Sequence, residues 1–184
     1  MLIEVTRQNH GVFLDLAYAT AANFTGAPVY GRAACYLHPH ALDKLERARD
    51  LAAAIGLRLK VFDAFRPTEA QWALWNHTPD ATFVADPRTG STHGRGVAVD
   101  LTLTDETGAE LDMGTGFDDF TPQSHHARTD ISAAAQKNRA LLLGLMTAAG
   151  WEFYMNEWWH YQLPDAGRKY PLLSDSVLSL PMMS

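Results

Sequence analysis

Two short stretches of the chain contain the residue types of a catalytic zinc site. In the first, His93 and Asp100 stand seven positions apart, and in the second, Glu157 precedes His160 by three positions. Two imidazoles and one carboxylate can hold Zn²⁺ while leaving a fourth coordination position open to water. The additional glutamate is the residue type that accepts a proton from such a water. These residues therefore predict a zinc hydrolase, although the chain lacks the helical His-Glu-x-x-His motif of many metalloproteases.

The spacing between His93 and Asp100 requires the chain to turn. Seven extended residues span about 23 Å, whereas the ligands of one zinc ion lie about 2.0–2.2 Å from it. Gly94 and Gly96 are expected to permit the turn, because glycine adopts a positive φ at little steric cost. After the turn, large apolar residues alternate with smaller ones over 97–103, which predicts a strand with Asp100 on the small-residue face.

The second stretch does not fit a regular strand. Successive strand residues point to opposite faces, so a regular strand would separate Glu157 from His160. We therefore expect an irregular step or bulge between them, which would bring both side chains to one cavity. The plainer alternatives are a solvated histidine and an aromatic run, Trp151 to Tyr161, that belongs to the core.

Arg66 follows a run of strand-like residues in the sequence Asp63-Ala64-Phe65-Arg66-Pro67. Loops at strand ends commonly carry functional residues. The permanently charged, planar guanidinium could bind the oxyanion that forms when water adds to a peptide carbonyl. The alternative is a surface ion pair between Arg66 and Asp63, which this stretch taken alone favours.

Length and composition indicate a globular protein. The 184 residues are expected to form a single domain, residues 1–184, that is long enough to bury a core. The net charge is −6 and there is no run of lysine or arginine, so nucleic acid and anionic membranes are not expected as partners. The one cysteine, Cys35, cannot form an intrachain disulfide and is expected to be a small buried hydrophobe.

The sequence contains neither a long apolar run nor a signal-like start. No stretch approaches about 18 consecutive apolar residues, so no membrane span is expected. The first residues lack a basic region followed by an apolar one. We therefore expect a cytoplasmic protein, or a periplasmic one if a signal peptide was removed.

Hydrophobic periodicity predicts strands and helices without regular βαβ alternation, which is typical of the α+β class. Helices are predicted over 39–55 and from a Ser132 cap to 149. A capping box, Thr68-Glu69-Ala70-Gln71, is predicted to open a short helix that ends at Trp75. Strands are predicted over 12–18, 57–63 and 97–103, and as a closing pair within 151–163.

Five motifs follow one another along the chain. They are Asp63-x-Phe65-Arg66-Pro67, Ser91-x-His93-x-Arg95-Gly96-x-Ala98-x-Asp100, Met113-Gly114-Thr115-x-Phe117-Asp118, Ser124-His125-His126 and Glu157-Trp158-Trp159-His160-Tyr161. In this order and spacing they resemble the VanX-type zinc D-alanyl-D-alanine dipeptidases over most of the chain. The short segment between Trp75 and Ser91 is closer to the chromosomal type. The resemblance implies the fold of Hedgehog domains and D,D-peptidases, an α+β domain whose central antiparallel sheet is flanked by helices.

The resemblance also implies a role for each matching residue near the predicted metal. His93, Asp100 and His160 match the ligands of one zinc ion per chain. Glu157 matches the general base that activates water. Arg66 matches the group that stabilises the tetrahedral intermediate.

A second set of matching residues concerns the substrate. Asp118 matches the carboxylate that receives the substrate ammonium group, with Ser91 and Tyr18 near the same end. From the residues alone, Asp118 could equally be a solvated acid. His125 and His126 match a family motif, but we assign them no chemistry and expect loop histidines.

The implied activity is hydrolysis of D-Ala-D-Ala to two D-alanines, in cell-wall turnover, D-alanine salvage or glycopeptide resistance. Two other functions stay open: a related D,D- or L,D-carboxypeptidase that acts on longer muropeptides, and a non-catalytic zinc-binding domain. Asp118 argues against the carboxypeptidase, because it would fix a free ammonium group. Glu157 and Arg66 argue against the binding domain, since a structural zinc site needs neither. The sequence predicts no particular oligomeric state.

Overall fold

A computed structural model describes the whole chain, from Met1 to Ser184. Its strands are β1 (Ile3–Val5), β2 (Phe13–Leu14), β3 (Cys35–Leu37), β4 (Arg58–Asp63), β5 (Ala98–Thr104), β6 (Glu152–Tyr154) and β7 (Glu157–Gln162). Five of them form the central sheet in the order β2-β4-β5-β7-β6, while β1 and β3 pair separately. Every pair in the central sheet is antiparallel except the edge pair β2–β4, which is parallel.

Two long helices and three shorter ones accompany the sheet. They are α1 (Arg7–His10), α2 (Pro39–Ala53), α3 (Thr68–His77), α4 (Ala133–Ala149) and α5 (Ala166–Lys169). The long helices α2 and α4 pack against each other and against the sheet. The expected α+β class with a central sheet and flanking helices is thus confirmed. None of the helices is long and apolar enough to cross a membrane.

The main core lies between the sheet and the α2–α4 layer. Val99, Leu101 and Leu103 alternate along β5 and are fully buried in this core. Burying one such side chain stabilises the fold by roughly 1.5–3 kcal/mol. Because successive strand residues point to opposite faces, Asp100 and Thr102 point away from α2 and α4. The alternation therefore fixes the face of the sheet on which Asp100 lies.

Both long helices lie where the periodicity predicts them. The ring of His38 caps α2 by accepting a hydrogen bond from the backbone of His40, and the helix ends at Ala53, slightly before the predicted end. The hydroxyl of Ser132 caps α4, as expected. At the other end of α4, Gly150 has a φ of 98°, which is typical of a helix C-terminus.

The predicted first strand over 12–18 is wrong in extent. Pairing with β4 covers only Phe13 and Leu14, and the chain then turns into a short 3₁₀ helix, Ala17–Ala19. The turn buries Leu16, Ala17 and Tyr18 together, which an extended strand would have pointed to alternate faces. Tyr18 consequently reaches the site from a turn.

The predicted capping box at the start of α3 is also wrong. Thr68 already lies inside the helix, and the capping position is Pro67, whose side chain offers no acceptor. The side chain of Gln71 makes its hydrogen bonds to Arg66 and to the backbone of Ala85 instead. The helix also continues beyond the predicted end, to His77.

Candidate active site

Three neighbouring strands place Asp63, Asp100 and His160 in one row across the sheet. Asp100 is the register partner of Asp63 on β4 and of His160 on β7. The Asp63 pairing depends on a bulge in β4 after Val61, because an unbroken register would place Phe62 opposite Asp100. The backbone thus brings two carboxylates and one imidazole together before any side-chain contact is considered.

His93, which lies beside these three residues, belongs to a short 3₁₀ helix, His93–Arg95, that precedes β5. Gly96 ends this turn with a φ of 67°, and a Cβ added there would lie 2.6 Å from a leucine side chain. Only glycine meets both conditions without strain. Gly94, which was expected to share this role, does not have a positive φ. The amide of Arg66 donates to the His93 carbonyl at 3.2 Å and holds the two loops together.

The three predicted metal ligands converge on one point. Nε2 of His93 lies 3.1 Å from Nδ1 of His160 and 3.3 Å from Oδ2 of Asp100. Nδ1 of His160 lies 3.1 Å from Oδ1 of Asp100. One ligand atom from each residue lies within 4.8 Å of the others, and all three residues are buried. The spacing of the three atoms is that of groups able to share one ion.

Further hydrogen bonds orient both rings of this cluster. Nδ1–H of His93 donates to the carbonyl of Ala64 at 2.7 Å, and Nε2–H of His160 donates to Oε1 of Gln162 at 3.1 Å. A carbonyl oxygen only accepts, so each ring turns its unprotonated nitrogen towards Asp100. Two lone pairs and a carboxylate at these distances repel one another unless a cation lies between them. Two imidazole nitrogens and one carboxylate oxygen are a zinc donor set, and the cluster therefore fits Zn²⁺.

Glu157 lies beside the cluster because the β6–β7 register changes. Phe153 pairs with Tyr161, whereas the following residue, Tyr154, pairs with Glu157. The expected irregular step between Glu157 and His160 is therefore present. Oε2 of Glu157 lies 4.0 Å from Nδ1 of His160. Burial of the side chain raises the pKa of Glu157 to about 7. A carboxylate in this position lies within reach of a water bound near the cluster and can act as a proton acceptor.

Arg66 forms an ion pair with Asp63, but the pair is buried rather than on the surface. Its Nε–H donates to Oδ2 of Asp63 at 2.9 Å, and Nη1–H donates to Oε1 of Gln71 at 3.1 Å. Nη2 lies 3.6 Å from Oδ2 of Asp100, and the guanidinium lies 4.9 Å from the centre of the Tyr18 ring. Arg66 also lines the site cavity, where its remaining N–H groups can bind a ligand oxygen.

Asp118 lies at another part of the same cavity. Its Oδ2 accepts a hydrogen bond from the hydroxyl of Tyr18 at 2.8 Å. Its φ of 57° is in the left-handed region, which non-glycine residues rarely adopt and which clusters at functional sites. Burial, together with the charge of Asp100, raises the pKa of Asp118 well above its ordinary value. A ligand cation beside it would offset that effect and favour the ionised carboxylate.

One cavity of about 290 Å³ is lined by all eight residues singled out from the sequence as metal, catalytic or substrate groups. Ser91 lines it as well as accepting a hydrogen bond from the amide of His93 at 3.2 Å. Aromatic side chains of Phe24, Phe83 and Phe120 form part of the wall. The volume lies at the small end of ligand pockets, which suits a ligand of dipeptide size.

Some residues around the site have no part in the motifs. Gln162 orients His160 and stands two positions after it, so strand alternation alone could have indicated it. Tyr30 donates to Oδ1 of Asp63 at 2.7 Å, and nothing in the local sequence indicates this contact. His125 and His126 lie outside the site cavity, and His126 lines a second cavity instead.

Comparison with known proteins places this chain among enzymes. Residues 1–180 match the M15 peptidase family described as D-Ala-D-Ala dipeptidase. The D-alanyl-D-alanine dipeptidase of Escherichia coli K12 is 46% identical over 162 residues, which cover 88% of this chain and 83% of that protein. The enzyme of the same name from Enterococcus faecium is 38% identical, covering 85% and 88% of the two chains.

A more distant similarity is found among solved structures. VanYB in complex with D-alanine-D-alanine matches with a TM-score of 0.47 and 18% identity, over 70% of this chain and 72% of that one. The family model matches nearly the whole chain, and the sequence identity to the two dipeptidases points to the same family. The chain belongs to the M15 metallopeptidases of the D-Ala-D-Ala dipeptidase family.

Proposed function

We propose that this protein hydrolyses the free dipeptide D-Ala-D-Ala to two molecules of D-alanine in a zinc-dependent reaction. The observation that carries this function is the placement of Glu157, Arg66 and Asp118 around one His-Asp-His cluster in a single cavity. The names of the two dipeptidases of E. coli and E. faecium support the choice of substrate.

His93, Asp100 and His160 would hold the zinc ion through one atom each. Bound there, zinc would polarise the peptide carbonyl and make a neighbouring water more acidic. Gln162 and the carbonyl of Ala64 would keep both imidazole rings turned towards the ion, because each accepts the proton of the outward nitrogen.

Glu157 and Arg66 carry out the chemical step. Glu157 takes a proton from water as the water oxygen bonds to the peptide carbon, and then delivers that proton to the leaving nitrogen as the C–N bond breaks. Arg66 donates hydrogen bonds to the oxyanion that forms on the carbonyl oxygen. Its ion pair with Asp63 holds the guanidinium in place before the substrate arrives.

Asp118 selects a substrate with a free amino group. Its carboxylate, oriented by the hydroxyl of Tyr18, would pair with the ammonium group of the dipeptide. Ser91 lines the same cavity. In a peptide extended at its amino end, an uncharged amide nitrogen takes the place of this ammonium group and could not form the ion pair with Asp118. This restriction favours a dipeptidase over a carboxypeptidase of longer muropeptides.

The decisive experiment measures D-alanine release by zinc-loaded protein from D-Ala-D-Ala, L-Ala-L-Ala and a pentapeptide ending in D-Ala-D-Ala. Release from the D,D-dipeptide alone is expected. Release from the pentapeptide would instead establish a carboxypeptidase. No release from any substrate, with zinc bound in a 1:1 ratio, would establish the non-catalytic zinc-binding domain.

A further inference from the structure

The amide side chain of Gln71 connects two parts of the site without lining the cavity itself. Gln71 lies on α3 and is only 2% exposed. Its Oε1 accepts from Nη1 of Arg66 at 3.1 Å, and its Nε2–H donates to the carbonyl of Ala85 at 2.7 Å. The oxygen of this buried amide therefore binds Arg66, a candidate catalytic residue, and its nitrogen binds a loop.

The loop in question is the mouth segment, Ala81–Ala85, every residue of which lines the site cavity. Its Val84 is 3% exposed and packs in the same apolar cluster as Tyr18. The ring of Phe83 stacks on Phe120 across the cavity wall at 5.0 Å. Within helices and strands the backbone is held by regular pairing, but the mouth segment belongs to neither. Its backbone makes turn hydrogen bonds to Asp80, and side-chain contacts attach the segment to the rest of the site.

The orientation of the Gln71 amide is determined by its two partners. Rotation by half a turn would place its N–H groups against the Arg66 guanidinium and its oxygen against the Ala85 carbonyl. Both arrangements would be repulsive and leave buried polar groups without partners. Neither a carboxylate nor an apolar side chain can replace this pair of contacts. A carboxylate only accepts, and an apolar group does neither.

We propose that Gln71 is a positioning residue that links Arg66 to the mouth segment, so that the placement of the guanidinium and the shape of the substrate entrance are set together. Without Gln71, Arg66 keeps the hydrogen bond from its Nε–H to Asp63. It loses the hydrogen bond that fixes the Nη1 side of its guanidinium group. The mouth segment loses the hydrogen bond at its last residue. The inference rests on the proposed function only where it concerns the role of Arg66 in turnover.

Two substitutions separate the two contacts. Gln71→Met has similar length and removes both, whereas Gln71→Glu, assayed at pH 8, keeps an acceptor for Arg66 and removes the donor to Ala85. We expect Gln71→Met to lower kcat roughly 10- to 100-fold, the range for losing a hydrogen bond to a charged group. Gln71→Glu is expected to keep kcat within about threefold of wild type while raising KM.

Hydrogen exchange of the mouth segment gives a readout that does not need turnover. The amides of Phe83 and Val84 donate to the carbonyl of Asp80 and should be protected in the wild type. Both Gln71 variants should exchange faster there. Gln136→Met is the matched control, because Gln136 also donates to loop carbonyls but lies on α4 outside the site cavity. It is expected to change neither kinetics nor mouth exchange.

Wild-type kcat and KM in a folded Gln71→Met variant would overturn the proposal, and so would an equal fall of kcat in both Gln71 variants. Unchanged exchange at Phe83 and Val84 would also overturn it. If the wild type releases no D-alanine, the proposed function fails. The exchange measurement then still decides whether Gln71 holds the mouth segment.

Discussion

Asp100 and His160 are direct cross-strand neighbours, and Nδ1 of the imidazole lies 3.1 Å from the carboxylate. The other ring nitrogen faces Oε1 of Gln162, which also accepts from the hydroxyl of Thr92. Because that oxygen can only accept, it retains the ring proton on the side away from Asp100. Gln162 therefore orients His160 as a candidate ligand without belonging to the cluster itself.

Replacing Gln162 with leucine should consequently weaken metal binding. We expect zinc affinity to fall about 10- to 100-fold, the range for loss of a hydrogen bond that orients a metal-bound histidine. Competition with a chromophoric chelator measures this change directly. Gln8→Leu, at an exposed position of helix α1, is the control and should bind zinc like the wild type. Equal affinity in all three proteins would show that Gln162 does not orient His160.

Glu157→Gln should separate catalysis from metal binding. The variant keeps the shape of the side chain but cannot accept a proton, so we expect kcat on D-Ala-D-Ala to fall by roughly 10²- to 10⁴-fold. Zinc content should stay at one ion per chain, because Glu157 is not among the three clustered ligands.

Glu152→Gln is the matched control for this prediction. Glu152 lies on the neighbouring strand β6, is exposed and does not line the cavity. It should leave kcat unchanged. A Glu157→Gln enzyme with wild-type turnover would exclude Glu157 as the base.

The convergence of the three candidate ligands could be predicted because metal chemistry restricts both residue types and geometry. Strand alternation placed Asp100 on the face opposite Val99 and Leu101, and the structure confirms it. Because successive strand residues point to opposite faces, an irregular step was also expected between Glu157 and His160. The shifted β6–β7 register provides it. Such local patterns repeat every two residues and can be recognised without knowing the fold.

Contacts between distant segments could not be predicted in this way. Tyr30 and Asp63 are 33 positions apart, and Gln71 and Ala85 are 14 apart, with no pattern joining either pair. Gln71 even fits a local capping motif, although tertiary contacts determine its actual orientation. The strands and helix near the amino end, β1, α1 and β3, were missed because three or four residues do not establish a period.

Asp118→Asn should impair the capture of substrates that carry a free ammonium group. An amide cannot form an ion pair with the ammonium, so we expect KM for D-Ala-D-Ala to rise about 10-fold or more, with a smaller change in kcat. N-acetyl-D-Ala-D-Ala lacks the charge and should be an equally poor substrate for both proteins.

Asp119→Asn provides the matched control, since it removes the same charge from the adjacent residue, which does not line the cavity. Its KM for D-Ala-D-Ala should equal that of the wild type. If both variants raised KM equally, a general loss of negative charge would explain the effect, and Asp118 would have no specific role.

His126 is expected to make the fold sensitive to acid at a point outside the active site. Its ring is 7% exposed and packs edge-on against Phe153, and its Nε2 has no hydrogen-bond partner. Burial and the nearby charge of Arg139 lower its pKa to about 4, from an ordinary value of 6.5. Between these two values the unfolded chain binds a proton that the folded chain excludes. The free energy of unfolding therefore falls as the pH falls from about 6.5 to about 4.

His126→Gln should remove this part of the acid sensitivity, because glutamine stays neutral throughout. Urea unfolding at pH 7 and pH 4.5 gives the loss of stability for each protein. We expect the wild type to lose more than the variant, by on the order of 2 kcal/mol. Since each protein is compared with itself, any intrinsic cost of the substitution cancels. His125→Gln is the adjacent control, and it should retain the wild-type loss. Identical losses in all three proteins would show that His126 is not the group responsible.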